Sequence, residues 1–122
     1  MSGGRFDYSQ YRIAQIADDV KDVIVKNYVE IPKDRINKWY ITENGEIPEW
    51  AKYYNTFSDG TIEKFKEGYR KLREAFIYAQ RIDWLLSGDD GEEEFAERLK
   101  DDLAELESNL ENEQWLYEPE ED

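Results

Sequence analysis

Residues 60–110 read GTIEKFKEGYRKLREAFIYAQRIDWLLSGDDGEEEFAERLKDDLAELESNL, and this stretch decides the fold. Ile62, Phe65, Tyr69, Leu72, Phe76, Ala79 and Leu86 recur at three- and four-residue steps. That spacing predicts a helix over 60–87 with one apolar stripe. Asp59 or Thr61 is its candidate N-cap, and Gly88 suits the left-handed position that ends a helix. Asp89 or Asp90 can cap a further helix over 89–116, where Glu92, Glu93 and Glu94 favour the positive end of the dipole. Phe95, Leu99, Leu103, Leu106 and Leu110 form the stripe of this acidic helix. The break between the two helices is short, so they are expected to form an antiparallel hairpin.

The hairpin loop, SGDDGEEEF, does not read as an ion or phosphate site. No register supplies the alternating oxygens, sixth-position glycine and twelfth-position glutamate of a calcium loop. It lacks the Lys-Ser/Thr of a phosphate loop, and its carboxylates would repel a phosphate. It reads as a helix stop followed by a helix start.

Upstream, residues 8–30 are expected to form a first helix, with Asp7 or Ser9 as cap. Ile13, Ile16, Val20, Val23, Ile24 and Asn27 fall close to one face. Pro32 disfavours helical geometry at Ile31 and should end it near Glu30. Residues 31–59 read as an irregular connection with a turn at Asn44-Gly45 and a short helix near 48–54, Pro48 taking its first position. Trp39, Tyr40, Trp50, Tyr53, Tyr54 and Phe57 make the connection aromatic, and a packed cap on the helical core is favoured over an exposed binding loop. The fold class is therefore all-α. Three main helices make one domain over 1–117, with the first packed across the other two, and an acidic tail frays over 118–122.

The chain has 122 residues, enough for one modest core. It contains no cysteine and no histidine. This removes thiol nucleophiles, zinc sites of thiolate or imidazole, and the commonest general acid–base. No apolar run is long enough to span a membrane, and the opening residues lack a signal pattern, so a cytoplasmic location is expected. The net charge of −14 is uneven. Residues 1–88 hold 14 acidic and 14 basic side chains, whereas residues 89–122 hold 16 acidic and 2 basic ones. Such an end repels nucleic-acid backbones and anionic membranes and attracts cationic surfaces.

Two constellations stand out. Asp83 occupies a stripe position where an apolar residue belongs, so its carboxylate should be paired or lie at the rim. Antiparallel packing brings Tyr8, Tyr11 and Arg12 toward it, with Arg81 and Trp84 on its own turn. That set is either a polar pocket or a structural ion pair that fixes helix register. The second is the row Glu93, Glu97, Asp101 and Glu105, at four-residue steps opposite the leucines. Like charges at that spacing destabilise an isolated helix, which points to a docking surface beside the alternative of a merely solvated face.

Residues 1–20 (MSGGRFDYSQYRIAQIADDV) and 78–103 (YAQRIDWLLSGDDGEEEFAERLKDDL) resemble a family of small uncharacterised proteins from bacteria and their phages. Members open on an MSGG, aromatic, Asp or Asn, Tyr pattern. The two stretches cover under half of the chain. The resemblance implies a phage or prophage accessory setting, in which small acidic proteins include inhibitors of host defence or of host nucleic-acid enzymes. The function expected is non-enzymatic binding of a basic protein partner, up to nucleic-acid mimicry. Trp39, Trp50 or Trp84 would serve as anchors if exposed. No cofactor, metal, membrane or direct nucleic-acid binding is expected, and the aromatic content leaves room for a homodimer. A small-molecule binder of nucleotide type at Arg12, Arg81, Asp83 and Trp84 is the alternative. A carboxylate metal-dependent hydrolase is more remote, because Asp83 alone faces inward.

Overall fold

The computed structural model describes residues 4–119. Its elements are α1 (Tyr11–Val25), two 3₁₀ turns (Lys33–Arg35 and Lys38–Tyr40), α2 (Glu49–Lys52), α3 (Asp59–Leu86) and α4 (Glu92–Glu111). The fold is all-α, and backbone pairing outside the helices among the described residues is confined to isolated bridges. The expected hairpin is α3 and α4. The expected first helix does not pack across both; α3 is the shared middle helix, packed against α1 on one flank and α4 on the other.

Both partners run antiparallel to α3. At one end Gln10 Nε2 donates to Gln80 Oε1 at 2.8 Å, and at the other Asn27 Nδ2 donates to the Phe57 carbonyl at 3.0 Å. Across the hairpin, Arg81 pairs with Asp102 at 2.6 Å and Arg70 with Glu107 at 2.8 Å. The buried apolar residues are few: Ala17 and Ile24 of α1, Ile36, Ala51, Tyr69 of α3 and Leu106 of α4.

Helix ends differ from expectation for identifiable reasons. α1 begins at Tyr11, three residues late, because Asp7 and Tyr8 adopt φ of 51° and 62°. Neither Asp7 nor Ser9 caps it; Gln10 holds the cap position, and its side chain is used on α3 instead. α1 ends at Val25 rather than Glu30. Asn27 Oδ1 accepts from Asn55 Nδ2 and from the Phe57 amide, both at 2.8 Å. Tyr28 then turns at φ 58°, and residues 28–31 run beside 52–55 with Tyr28 N donating to Asn55 O at 2.8 Å and Ile31 N to Lys52 O at 2.7 Å. Ser58, not Asp59 or Thr61, caps α3 by accepting from Thr61 N at 3.3 Å. Pro48 precedes α2 rather than opening it, and α2 stops at Lys52. Gly45 takes the turn geometry with φ 79°, and Gly88 ends α3 at φ 83°. Leu86 is exposed instead of closing the stripe, because the N-terminal segment runs over Asp83 and Ser87 and leaves it outside.

α4 starts at Glu92 and stops at Glu111, five residues short of 116. Its cap is Gly91, whose amide donates to Glu94 Oε2 at 3.3 Å, rather than Asp89 or Asp90. Beyond it the chain leaves the helix and returns to the α1–α3 pair. Glu113 forms an ion pair with Lys21, and Trp115 meets Tyr69 edge-on at 5.2 Å between Lys21 and Lys66. Tyr117 lies 6.4 Å from the Tyr54 ring. Of the tail expected to fray, positions 120–122 lie outside the described residues.

Candidate docking surface on the acidic helix

α4 buries Leu106 and half-buries Phe95, Leu99, Leu103 and Leu110 toward α3, which turns the opposite face outward. Glu93, Glu97, Asp101 and Glu105 are all exposed there. At 1.5 Å of rise per residue they stand about 6 Å apart along a ridge of about 18 Å. None of the four enters an ion pair among the described residues, nor does either of the two basic residues of α4 reach them. Three other acids of the hairpin are matched by arginines. Glu107 takes a two-toothed bond from Arg70 at 2.8 and 3.0 Å, Asp102 takes Arg81, and Asp90 takes Arg98. The charges facing α3 are thus matched, and the charges facing out are not.

The residues expected around Asp83 separate into two sets. Asp83 is 4 % exposed and turns toward the N-terminal segment. Its Oδ1 accepts the Phe6 amide at 2.9 Å, its Oδ2 lies 3.4 Å from Gln10 Nε2, and the space beside it is taken by Gly4. A Cβ on Gly4 would lie 2.6 Å from Oδ2. Arg5 N donates to Ser87 Oγ at 3.0 Å on the next turn. The carboxylate is therefore satisfied by backbone and amide donors of its own chain, with no guanidinium. Arg12 is exposed and makes no ion pair among the described residues. Tyr8 is exposed and lies 6.2 Å from the Tyr11 ring, which in turn contacts Phe76 and accepts from Gln80.

Arg81 and Trp84 face the other way, toward the hairpin loop. The Arg81 guanidinium lies over the Trp84 ring at 4.7 Å and bridges Asp102 and Asp90. Asp90, whose side chain is 1 % exposed, is held between Arg81 and Arg98. The arrangement is an ionic clasp on a buried carboxylate, with Arg98 at its exposed edge, rather than an open site. Sequence reading placed Asp90 as a helix cap and missed the clasp; Arg98, one of two basic residues in the acidic half, was the available signal.

The aromatic connection is more open than a packed cap. Trp39 is 90 % exposed and Trp50 65 %, with Tyr40 edge-on to Trp50 at 4.9 Å. Of the three candidate anchors only Trp84 is half-buried, under Arg81.

Family models, curated proteins and solved structures yield no match to this chain. Among the described residues, no three or more Asp or Glu side chains gather as a metal site would require, and no helix is long and apolar enough to cross a membrane. A groove of about 720 Å³ runs between α1 and the segment after α4, lined in part by Lys21, Lys26, Tyr54 and Tyr117. Its lysines are already engaged, Lys21 by Glu113 and Lys26 by Asp22 and the Tyr54 ring.

Proposed function

We propose that the protein is a non-enzymatic binding protein whose α4 ridge docks on a basic surface of a partner protein. One observation carries the reading: Glu93, Glu97, Asp101 and Glu105 stay exposed and unpaired among the described residues, while Asp90, Asp102 and Glu107 are each matched by an arginine. A row of like charges at four-residue steps weakens its own helix, and a cationic partner relieves that repulsion. Trp39 and Trp50 are exposed aromatics of the kind that dominate binding energy, carried on the connection between α1 and α3 rather than on α4.

The ridge carries about one charge per 6 Å, against about one per 3.4 Å along a nucleic-acid strand. That lower density favours a basic protein surface in general over close imitation of a nucleic acid. The resemblance of residues 1–20 and 78–103 supports a phage or prophage accessory role, acting on a host defence or nucleic-acid-binding protein. The nucleotide-binding alternative is less favoured, because the donors around Asp83 come from the chain itself and fill the space a ligand would take.

The test is affinity capture from a nuclease-treated bacterial lysate with the wild-type chain and with Glu97→Lys/Asp101→Lys/Glu105→Lys. A basic protein retained by the first and lost by the second is expected, and added duplex DNA should compete for it. Equal retention by both chains would overturn the reading.

A further inference from the structure

The α1–α3 pair has two sides, and the described residues cover only one of them. On the covered side, Glu113 and Trp115 return to Lys21 and Tyr69. The other side carries Val20, Val23, Asn55, Phe57 and Phe65 around an open groove of about 450 Å³. Ile16, one turn before Val20, continues it and is 51 % exposed, and Phe57 is 40 % exposed. With 100° between successive residues, Val20 and Lys21 necessarily look to different sides of α1. Gly68, one turn along α3 from Phe65, has nothing within 4 Å of where a Cβ would stand, so this side of α3 is also bare.

The surface area of the whole chain leaves room for a cover of dimer size. The chain exposes 9232 Å². A compact monomer of its mass, 14.6 kDa, exposes about 6,900 Å². The excess is roughly 2,300 Å², and the larger homodimer interfaces remove roughly 1,000–2,500 Å² from each partner. Charge permits self-association here. All of the net −14 lies in residues 89–122, while α1 and α3 belong to the half with equal acidic and basic counts. Two copies meeting through α1 and α3 bring neutral halves together, and the acidic ridges need not approach within a Debye length of about 8–10 Å.

We infer that a second copy of this chain covers the Ile16–Val20–Val23–Phe57–Phe65 face, giving a dimer that presents two acidic ridges. The face is distinct from α4, so it stands whether or not the ridge has a basic partner.

Sedimentation equilibrium of the full chain tests it. The expected mass is twice that of the chain, falling to one chain in Val20→Glu and in Ile16→Lys, with helical circular dichroism retained. Because the chain has no cysteine, Ile16→Cys supplies a unique thiol by a mild change. Its reaction with a thiol reagent should slow as protein concentration rises. A wild-type monomer at high micromolar concentration, a dimer that survives both charged variants, or a thiol equally reactive at every concentration would each overturn the inference.

Discussion

Asp83 Oδ1 accepts the backbone amide of Phe6 at 2.9 Å across 77 residues of chain, and this bond ties the N-terminal segment to the far end of α3. It explains why a carboxylate stands in an apolar stripe: the stripe ends where the segment arrives. Gly4 passes within a Cβ's reach of the same carboxylate at φ 59°, where only glycine is unstrained. Asp83→Ala leaves the Phe6 amide without its acceptor and should cost about 1–3 kcal/mol. Asp83→Asn keeps one acceptor but turns a donor toward Gln10, so its loss should be intermediate. Gly4→Ala should cost at least about 1–2 kcal/mol from the left-handed backbone alone. Urea unfolding of the three variants checks the order.

The Asp90 clasp gives a coupling prediction. Arg81 and Arg98 share one buried carboxylate, so removing either strains the hold of the other. Arg81→Ala should cost about 2–3 kcal/mol, since it also frees Asp102. In a double-mutant cycle Arg81→Ala and Arg98→Ala should be non-additive by about 0.5–3 kcal/mol. Additive losses would show that the two arginines act separately.

Asn27 joins the end of α1 to the start of α3 through both atoms of its amide. Asn27→Ala should destabilise by about 1–3 kcal/mol, and Asn27→Asp by less, because the acceptor to Asn55 and Phe57 survives. Thermal unfolding with far-ultraviolet circular dichroism measures both.

Alkaline pH should loosen the contact between the C-terminal segment and the α1–α3 pair. Burial pushes the Tyr69 hydroxyl above its ordinary range, and the hydrogen bond to Glu113 raises the Lys21 ammonium. Both groups keep their protons longer in the folded chain than in the unfolded one. Their contribution is complete below about pH 10 and is lost as pH climbs through the raised folded values. The urea midpoint should therefore hold steady up to about pH 9–10 and fall above it, less steeply in Tyr69→Phe.

What the sequence made legible was what repeats along a helix. The apolar steps of Ile62 through Ala79 and of Phe95 through Leu110 placed α3, α4 and their hairpin, and the row at Glu93 to Glu105 is exposed as its spacing implied. What escaped were features made by residues far apart. The rule that a proline ends a helix put the end of α1 near Glu30, yet the Asn27 amide ended it earlier by bonding to residues 28 and 30 positions away. Asp83 was recognised as anomalous, but its partner is a backbone amide, and no side-chain pattern marks a backbone donor. Arg81 and Trp84 share a turn with Asp83 but point to a different helix, because steps of one and two residues rotate a side chain about 100° and 200°.

Charge reversal on the α4 ridge should change binding while leaving stability nearly unchanged. Glu97→Lys/Asp101→Lys/Glu105→Lys makes the 93/97 pair attractive but leaves 97/101 and 101/105 as like-charge pairs, each worth about 0.2–0.5 kcal/mol, so the melting temperature should change little. The most direct measurement is the salt dependence of affinity for the captured basic partner, for wild type and this variant side by side. The account predicts wild-type binding that weakens steeply with salt and variant binding that is lost at every salt concentration. Equal affinities with equal salt slopes would contradict it and leave the ridge as a solvated face.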